Sequence, residues 1–239
     1  MMKVALILPC FNEGNNLQKI RKDFLSSLNI LKNIKVELVI VNNGSTDSSK
    51  KILSEKKYSD PKIIIVNVSK NIGYGHGIKE GIKSIDADIY SWAHGDLQTP
   101  MIDILSSISV AVESKVLVLA GQRDTKGKQK IQSRIFDFVI STILGFWAYD
   151  INAQPKIFHK KFKNHFLGLN SPDDFALDMF FFKVFNFKKI KIFRNLVKFE
   201  DRTEGIAKGG QGNILSRVAL LKKMCSFAIK LRNMKFADH

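Results

Sequence analysis

Cysteine is scarce in this chain, with 2 in 239 residues. Cys10 and Cys225 are too few for a disulfide framework, and neither has a second Cys or His at zinc-finger spacing. That points to a reducing compartment and away from a structural zinc site. Long apolar runs are missing too. None reaches the roughly 18 uninterrupted residues that a spanning helix needs, and Pro9 arrives too early for a signal-peptide core, so the expected location is cytoplasmic. No lysine–serine pair follows a glycine loop, which excludes a P-loop nucleotidase. No Gly-x-Ser-x-Gly elbow or Cys/His pairing suggests a covalent hydrolase. Internal repeats and low-complexity tracts are absent. Acid is in deficit as well: 22 Asp+Glu face 38 Lys+Arg, a formal net charge of +16.

The remaining composition is globular, 45% hydrophobic and 25% charged. That fits one large domain, or one domain with an appendage, and excludes disorder, collagen and coiled coil. The charge is lopsided. Residues 1–120 hold 15 Lys+Arg and 12 Asp+Glu, a net +3, whereas residues 121–239 hold 23 and 10, a net +13. An anionic partner for the second half follows: a phosphorylated substrate, an anionic membrane surface or nucleic acid. No recognisable nucleic-acid-reading motif is present, so nucleic acid is not an expected partner.

Short β-branched runs at 4–8, 36–41, 63–68, 89–93 and 116–120 alternate with helical patterns at 15–31, 48–57 and 76–84. This predicts an α/β fold with a mostly parallel central sheet and helices on both faces. Residues 121–130 read as an exposed basic loop, 131–144 as a helix, 175–187 as a helix and 190–199 as a strand. A glycine-rich loop over 201–212 precedes a basic helix at 214–236 that contains no acid. Ile214, Val218, Leu221, Cys225 and Ala228 could face lipid along that helix, or the helix could pack on the domain or on a partner. The expected division is a first part over 1–120, a second over 121–212 and the basic helix over 213–239.

Ligands of open α/β sheets bind beyond the carboxyl ends of the strands. There this sequence places Pro9-Cys10-Phe11-Asn12-Glu13, then Asn42-Asn43-Gly44-Ser45-Thr46-Asp47, then Asn71-Ile72-Gly73-Tyr74-Gly75-His76-Gly77, then His94-Gly95-Asp96-Leu97-Gln98. The three glycines of the third cluster have the wrong spacing for a dinucleotide fingerprint. They do allow close backbone approach to a ligand. Asp96 and Gln98, two apart at a strand end, offer hard oxygen ligands suited to magnesium or manganese.

In order and spacing these clusters resemble a family 2 glycosyltransferase of the A-type fold, and within it the dolichyl- or polyprenyl-phosphate mannose or glucose synthases. The resemblance continues through Gly121-Gln122-Arg123, the run from Asp150 to Phe158, Asp178 and the run from Phe199 to Gly205, and so spans roughly residues 3–210. It implies a catalytic domain over 1–212, with 1–120 as the nucleotide-sugar half and 121–212 as the acceptor half, and a nucleotide-sugar site at Pro9, Asn12, Glu13, Asn43, Asp47, Asn71, Gly73, Gly75, His94 and Asp178. It also implies a Mn2+ or Mg2+ site at Asp96 and Gln98. Asn43 stands where the family often has aspartate, and His94 where the commoner metal motif has another.

The activity so implied is metal-dependent, inverting transfer of a hexose from UDP- or GDP-hexose to polyprenyl phosphate at the cytoplasmic membrane face. A lipid phosphate meeting a nucleotide diphosphate needs cations to offset repulsion. The resemblance gives that work to Arg123 and Arg202, with Lys126 and Arg134 beside them. Asp96, Asp150, Arg123 and Arg202 would be the catalytic residues. A phosphate oxygen is already ionised and needs no strong base, so Asp150 and Asp178 would order the sugar or the arginines. If the acceptor were a sugar hydroxyl, a carboxylate base would be required, and Asp150, Asp173, Asp174 and Asp178 are the candidates. A relative that binds nucleotide or lipid without turnover is a third reading. Transmembrane helices often follow the catalytic domain in this branch; here the basic helix or a membrane partner protein would bring the chain to an anionic membrane.

Overall fold

A computed structural model describes residues 1–200 and 214–234. Arg202 and the expected glycine-rich loop lie outside the described residues. The elements run β1 (Met2–Cys10), α1 (Gly14–Ser27), β2 (Ile34–Asn43), α2 (Ser49–Leu53), β3 (Ile63–Val68), α3 (Tyr74–Lys83), β4 (Ile89–Trp92), α4 (Met101–Glu113) and β5 (Val118–Asp124). They continue as α5 (Gly127–Leu144), β6 (Lys156–His159), α6 (Lys163–Leu167), α7 (Ala176–Phe187), β7 (Phe193–Lys198) and α8 (Ile214–Asn233).

The sheet order is β3-β2-β1-β4-β6-β5-β7. All neighbours are parallel except β6, which runs antiparallel to both β4 and β5. The chain reverses its direction of travel across the sheet between β1 and β4, and a crevice opens beyond the carboxyl ends at such a switch point. Because β6 is inverted, its first residue, Lys156, lies level with Trp92 of β4 and Ala120 of β5. The segment 150–155 is thereby delivered to the crevice side of the sheet.

The strands are apolar on both sides because both faces are covered. Val4, Leu6 and Leu8 pack on Leu17, Ile20 and Phe24 of α1 and on Ile104, Leu105 and Ile108 of α4. On the opposite face, Ala5 and Ile7 meet Ile78 and Ile82 of α3. Gly81 lets α3 lie close to the sheet, since a Cβ there would come within 2.4 Å of Ile7 Cγ2. Around β4, Trp92 makes edge contacts with Phe158, Phe166 and Phe181 at ring separations of 5.5–5.8 Å, each worth about 0.5–1.5 kcal/mol beyond area burial.

Two expectations are corrected. Residues 121–130 are not a loop: β5 continues through Asp124, paired in parallel with β7, and α5 begins at Gly127. Their polarity belongs to a strand that runs past the core to the crevice. The two early helices are shorter than expected, ending at Ser27 and Leu53, and each is followed by a single 3-10 turn. For the basic helix two roles were open, and the described residues favour packing: α8 lies against α5 and α7, with Met224, Ala228 and Leu231 in the core. Of the stripe expected to face lipid, Ala228 is therefore turned inward, while Val218 and Leu221 remain exposed.

Candidate active site

Beyond the ends of β1, β2 and β4 lies a cleft of about 480 Å³. Of the residues expected to hold a nucleotide sugar, Pro9, Glu13, Asn43, Asn71, Gly73 and His94 line it, together with both expected metal ligands, Asp96 and Gln98. Phe11, Tyr74, Gly95 and Phe175 complete the lining. The sequence pattern did not single out these four as site residues.

Asn12 and Asp47 serve as ties between loops instead of forming the lining. Asn12 Oδ1 accepts the Thr46 N–H at 2.8 Å and Asn12 Nδ2 donates to Thr46 Oγ1 at 3.1 Å. The Asp47 carboxylate accepts N–H groups from Gly14 and Ser49 at 3.1 and 2.9 Å, at the starts of α1 and α2. Burial pushes the Asp47 carboxyl up, but hydrogen bonds from Ser49 and Gly14 outweigh it and hold the group below its ordinary range.

Asn43 is 2% exposed. Its Nδ2 donates to the Gly73 carbonyl at 3.0 Å, while its Oδ1 is buried without a partner. An orphaned buried acceptor costs about 1–3 kcal/mol unless a ligand donates to it.

The glycine cluster does something other than open space for a ligand at every position. A Cβ on Gly73, whose φ is +145°, would lie 2.2 Å from the Asp173 carbonyl oxygen, and one on Gly75 would lie 2.5 Å from that of Pro172. These glycines admit the backbone of residues 172–174, which is pinned by the His76 N–H donating to Asp173 O at 2.9 Å. Gly75 does not line the cleft. The approach brings Phe175 over the site, where it stacks on Tyr74 at 5.0 Å, and Tyr74 in turn meets the His94 ring edge-on at 5.2 Å.

Asp178 sits behind this wall, 1% exposed. It accepts from Trp92 Nε1 at 3.0 Å and from Gln154 Nε2 at 3.1 Å. Gln154 Nε2 also lies 3.3 Å from the Tyr74 hydroxyl and 3.4 Å from His94 Nε2, so Asp178 reaches the cleft through Gln154. Burial, then the carboxylates of Asp178 and Asp96, push the Tyr74 hydroxyl well above its ordinary range and keep it protonated.

A second cluster adjoins the first. Gln98 Nε2 donates to the Glu200 carbonyl at 3.3 Å, and the Glu200 N–H returns to Gln98 O at 2.8 Å. Next to Glu200, the Phe199 ring lies 5.1 Å from the Arg123 guanidinium. Asp150 grips Arg123 three ways: Oδ2 accepts the backbone N–H at 2.7 Å, and Oδ1 accepts from Nε at 2.8 Å and from Nη2. Asp150 has a φ of +47°. That conformation is held from behind by buried Asp137, which accepts the N–H groups of Asp150 and Ile151 at 2.7 and 3.2 Å. Burial raises the Asp137 pKa, and the two N–H groups only partly offset it. Lys126 and Arg134 are exposed on the first turns of α5.

The 151–153 turn rests on Lys156, which is 0% exposed. Its ammonium donates to the Ile151 carbonyl at 2.9 Å and to the Ala153 carbonyl, and burial pushes it down to about 8. Asp137, Gln154 and Lys156 were missed because nothing in their spacing marks them. Gln154 and Lys156 lay inside the run from Asp150 to Phe158 without being singled out, and Asp137 had one signal, as the one acid between residues 125 and 149.

Among the described residues no three His, Cys, Asp or Glu side chains converge on a point that could hold a metal. A closed protein cage is therefore not what the site offers. Asp96 with Gln98 fits the other mode, in which one or two protein oxygens hold Mg2+ or Mn2+ and nucleotide phosphates and water complete the shell. Asp96 Oδ1 meanwhile accepts the Gln98 N–H at 3.2 Å, across Leu97 at φ +60°.

The family model for glycosyl transferase family 2 matches residues 5–188. The chain belongs to that family. Among curated members, this family 2 chain is 27% identical over 146 residues to an undecaprenyl-phosphate 4-deoxy-4-formamido-L-arabinose transferase of Proteus mirabilis, covering 60% of this chain and 44% of the relative. It is 29% identical over 131 residues to a prophage bactoprenol glucosyl transferase homolog of Escherichia coli, covering 54% and 42%. The chain thus spans less than half the length of these relatives. Glucosyl-3-phosphoglycerate synthase from Mycobacterium tuberculosis, solved with Mn2+, UDP-glucose and phosphoglyceric acid, superposes with a TM-score of 0.69 at 11% identity, covering 99% of this chain and 81% of that one. The likeness establishes an A-type glycosyltransferase fold. No helix among the described residues is long and apolar enough to cross a membrane.

Proposed function

We propose that this family 2 chain transfers a hexose from UDP- or GDP-hexose to polyprenyl phosphate at the cytoplasmic membrane face, with inversion at the sugar and with Mn2+ or Mg2+ bound. The observation that carries the choice of acceptor is the state of the carboxylates. A hydroxyl acceptor needs a base, yet every candidate is engaged. Asp150 is bound to Arg123, Asp178 is buried on Trp92 and Gln154, Asp173 pairs with Lys79 at 2.7 Å, and Asp174 pairs with Lys223 at 2.8 Å. A phosphate acceptor needs none of them. Its ionised oxygen attacks the anomeric carbon as the bond to the nucleotide diphosphate breaks. The names of the undecaprenyl-phosphate and bactoprenol relatives support the same acceptor class.

In this reading Arg123, fixed by Asp150, binds the acceptor phosphate in one orientation and so holds the nucleophile in line. Arg202, Lys126 and Arg134 add positive charge around it. Asn43 stands beside the base and ribose, its amide held by the Gly73 carbonyl. Pro9, Glu13, Asn71 and Gly73 wall the nucleotide, and His94 and Tyr74 face the diphosphate and sugar. Asn12, Asp47, Gly75 and Asp178 shape that pocket from behind. A divalent ion on Asp96 and Gln98 would stabilise the charge that develops on the leaving diphosphate.

Thermal denaturation with UDP, GDP, CMP or NAD, with and without manganese, tests the donor half. A ligand at about 100 times its Kd adds about 2.7 kcal/mol, or about 5–11 °C for a domain of this size. The expected result is a manganese-dependent rise with UDP or GDP only. Folded protein that responds to no nucleotide refutes the reading. A donor that is bound but transferred only to sugar hydroxyls refutes the acceptor.

A further inference from the structure

The outer face of α5 carries an apolar stripe that nothing in the described structure covers. Ile131, Ile135 and Phe138 are 60%, 59% and 61% exposed. Their spacing of four and three places them on one side of the helix. Trp147, 65% exposed just past the end of α5, extends the stripe, with its ring 6.5 Å from that of Phe138. Surface apolar residues scattered singly need no explanation, but a contiguous patch with two large aromatics marks a contact surface.

The surrounding charge selects the partner. Lys126, Lys130 and Arg134 are exposed at the same end of the helix. Between residues 125 and 149 the one acid is Asp137, which is 2% exposed and turned inward. The exposed Asp124 stands just before this run, but an apolar stripe with three cations at one end and no exposed acid from 125 to 149 matches the boundary of an anionic bilayer, where Trp and Phe sit among headgroups and lysines meet lipid phosphates. The inner face of the same helix supports the acceptor cluster, since Ser133 Oγ accepts from Arg123 Nη2 at 3.1 Å and Asp137 holds the backbone at Asp150.

We propose that this α5 face, with Trp147, is the surface by which the chain sits on anionic membrane, bringing Arg123 and Asp150 to headgroup depth. The proposal rests on the lipid-phosphate reading above and assigns its membrane contact to α5. The basic helix α8 already commits Met224, Ala228 and Leu231 to the core. Its exposed apolar residues, Val218, Leu221 and Ile229, include no aromatic side chain.

Cosedimentation with phosphatidylcholine vesicles, with and without phosphatidylglycerol, tests this on the full chain. Three proteins are compared: wild type, Ile135→Glu/Phe138→Glu, and Leu221→Glu/Ile229→Glu. All four substituted positions are exposed, and unchanged melting verifies folding. The expected result is wild-type binding to the phosphatidylglycerol vesicles that weakens at least about tenfold in the α5 variant and stays within about twofold in the α8 variant. Unchanged binding by the α5 variant, loss in the α8 variant alone, or no wild-type binding overturns the proposal. So does a wild-type dimer that Ile135→Glu/Phe138→Glu dissociates, which would make the stripe a contact with a second copy. Transfer to farnesyl phosphate without vesicles is measured in parallel and should be equal in wild type and α5 variant. If wild type glycosylates no isoprenyl phosphate, the lipid-phosphate reading fails whatever the vesicles show.

Discussion

Replacing Lys156 by methionine separates two consequences of burying an ammonium under the 151–153 turn. The side chain is 0% exposed and satisfied by carbonyls, with no carboxylate in hydrogen-bond contact, and its pKa falls from the ordinary 10.5 to about 8. At 1.36 kcal/mol per unit, the gap amounts to about 3 kcal/mol. The sign follows from proton counting. Between pH 8 and 10.5 the unfolded chain binds more protons at this residue than the folded one does, so stability rises with pH across that window. Below pH 8 both states are protonated and the whole penalty is present. Methionine removes the titration, and it leaves the Ile151 and Ala153 carbonyls unpaired, which costs about 1–3 kcal/mol each at any pH. Urea unfolding of both proteins at half-unit steps from pH 7 to 10.5, plotted as the difference in stability, cancels every other lysine and tyrosine. The expected difference moves in favour of wild type by about 3 kcal/mol over this range. A flat difference refutes the reasoning, because it would mean that Lys156 keeps its ordinary affinity for the proton.

Two further substitutions address the site itself. Asp150→Asn retains shape and tolerates the positive φ, but it removes the charge that holds Arg123; the expected outcome is a loss of about 3 kcal/mol in stability and of about 100-fold in transfer, with nucleotide affinity by calorimetry unchanged. Gly75→Ala would set a Cβ 2.5 Å from the Pro172 carbonyl oxygen. Backbone cannot yield there cheaply, so denaturant melts should show a loss of about 1–3 kcal/mol, accompanied by weaker nucleotide binding as Phe175 shifts.

The first half was legible because its signals are local. Each β-branched run ends in a polar cluster, and the sheet order then carries Asn43, Gly73, His94 and Asp96 to one cleft without further information. The second half was less legible because its logic is non-local. β6 has four residues, too few for a periodic signal, and its inversion decides where Asp150 and Gln154 stand. Residues 121–130 are polar and basic, and composition alone assigned them to a loop; what makes 122–124 a strand is pairing with β7 more than 70 residues later. The glycines at 73 and 75 were noticed for the right property, close backbone approach, but the approaching group is largely the chain itself.

The net +13 of the second half also divides once its members have places. Some cations are structural or positioned, among them Lys156 beneath the turn, Arg194 donating to the Gly121 and Tyr149 carbonyls at 3.3 and 2.6 Å, and Arg123 clamped by Asp150. Of these, Arg123 alone adjoins the cleft, through Phe199 and Glu200. A guanidinium whose Nε and Nη2 both donate to one buried carboxylate oxygen keeps its orientation, whereas exposed lysines such as Lys126 and Lys130 act as diffuse charge, screened over about 8 Å at physiological ionic strength. Positive charge of the first kind can align one phosphate for attack; the second kind can only gather an anionic surface. On the proposed lipid-phosphate reading, diffuse charge would draw the chain toward a membrane, buried apolar area on the α5 stripe would give it a fixed depth there, and a fixed depth is what a clamped arginine would need to meet a lipid phosphate.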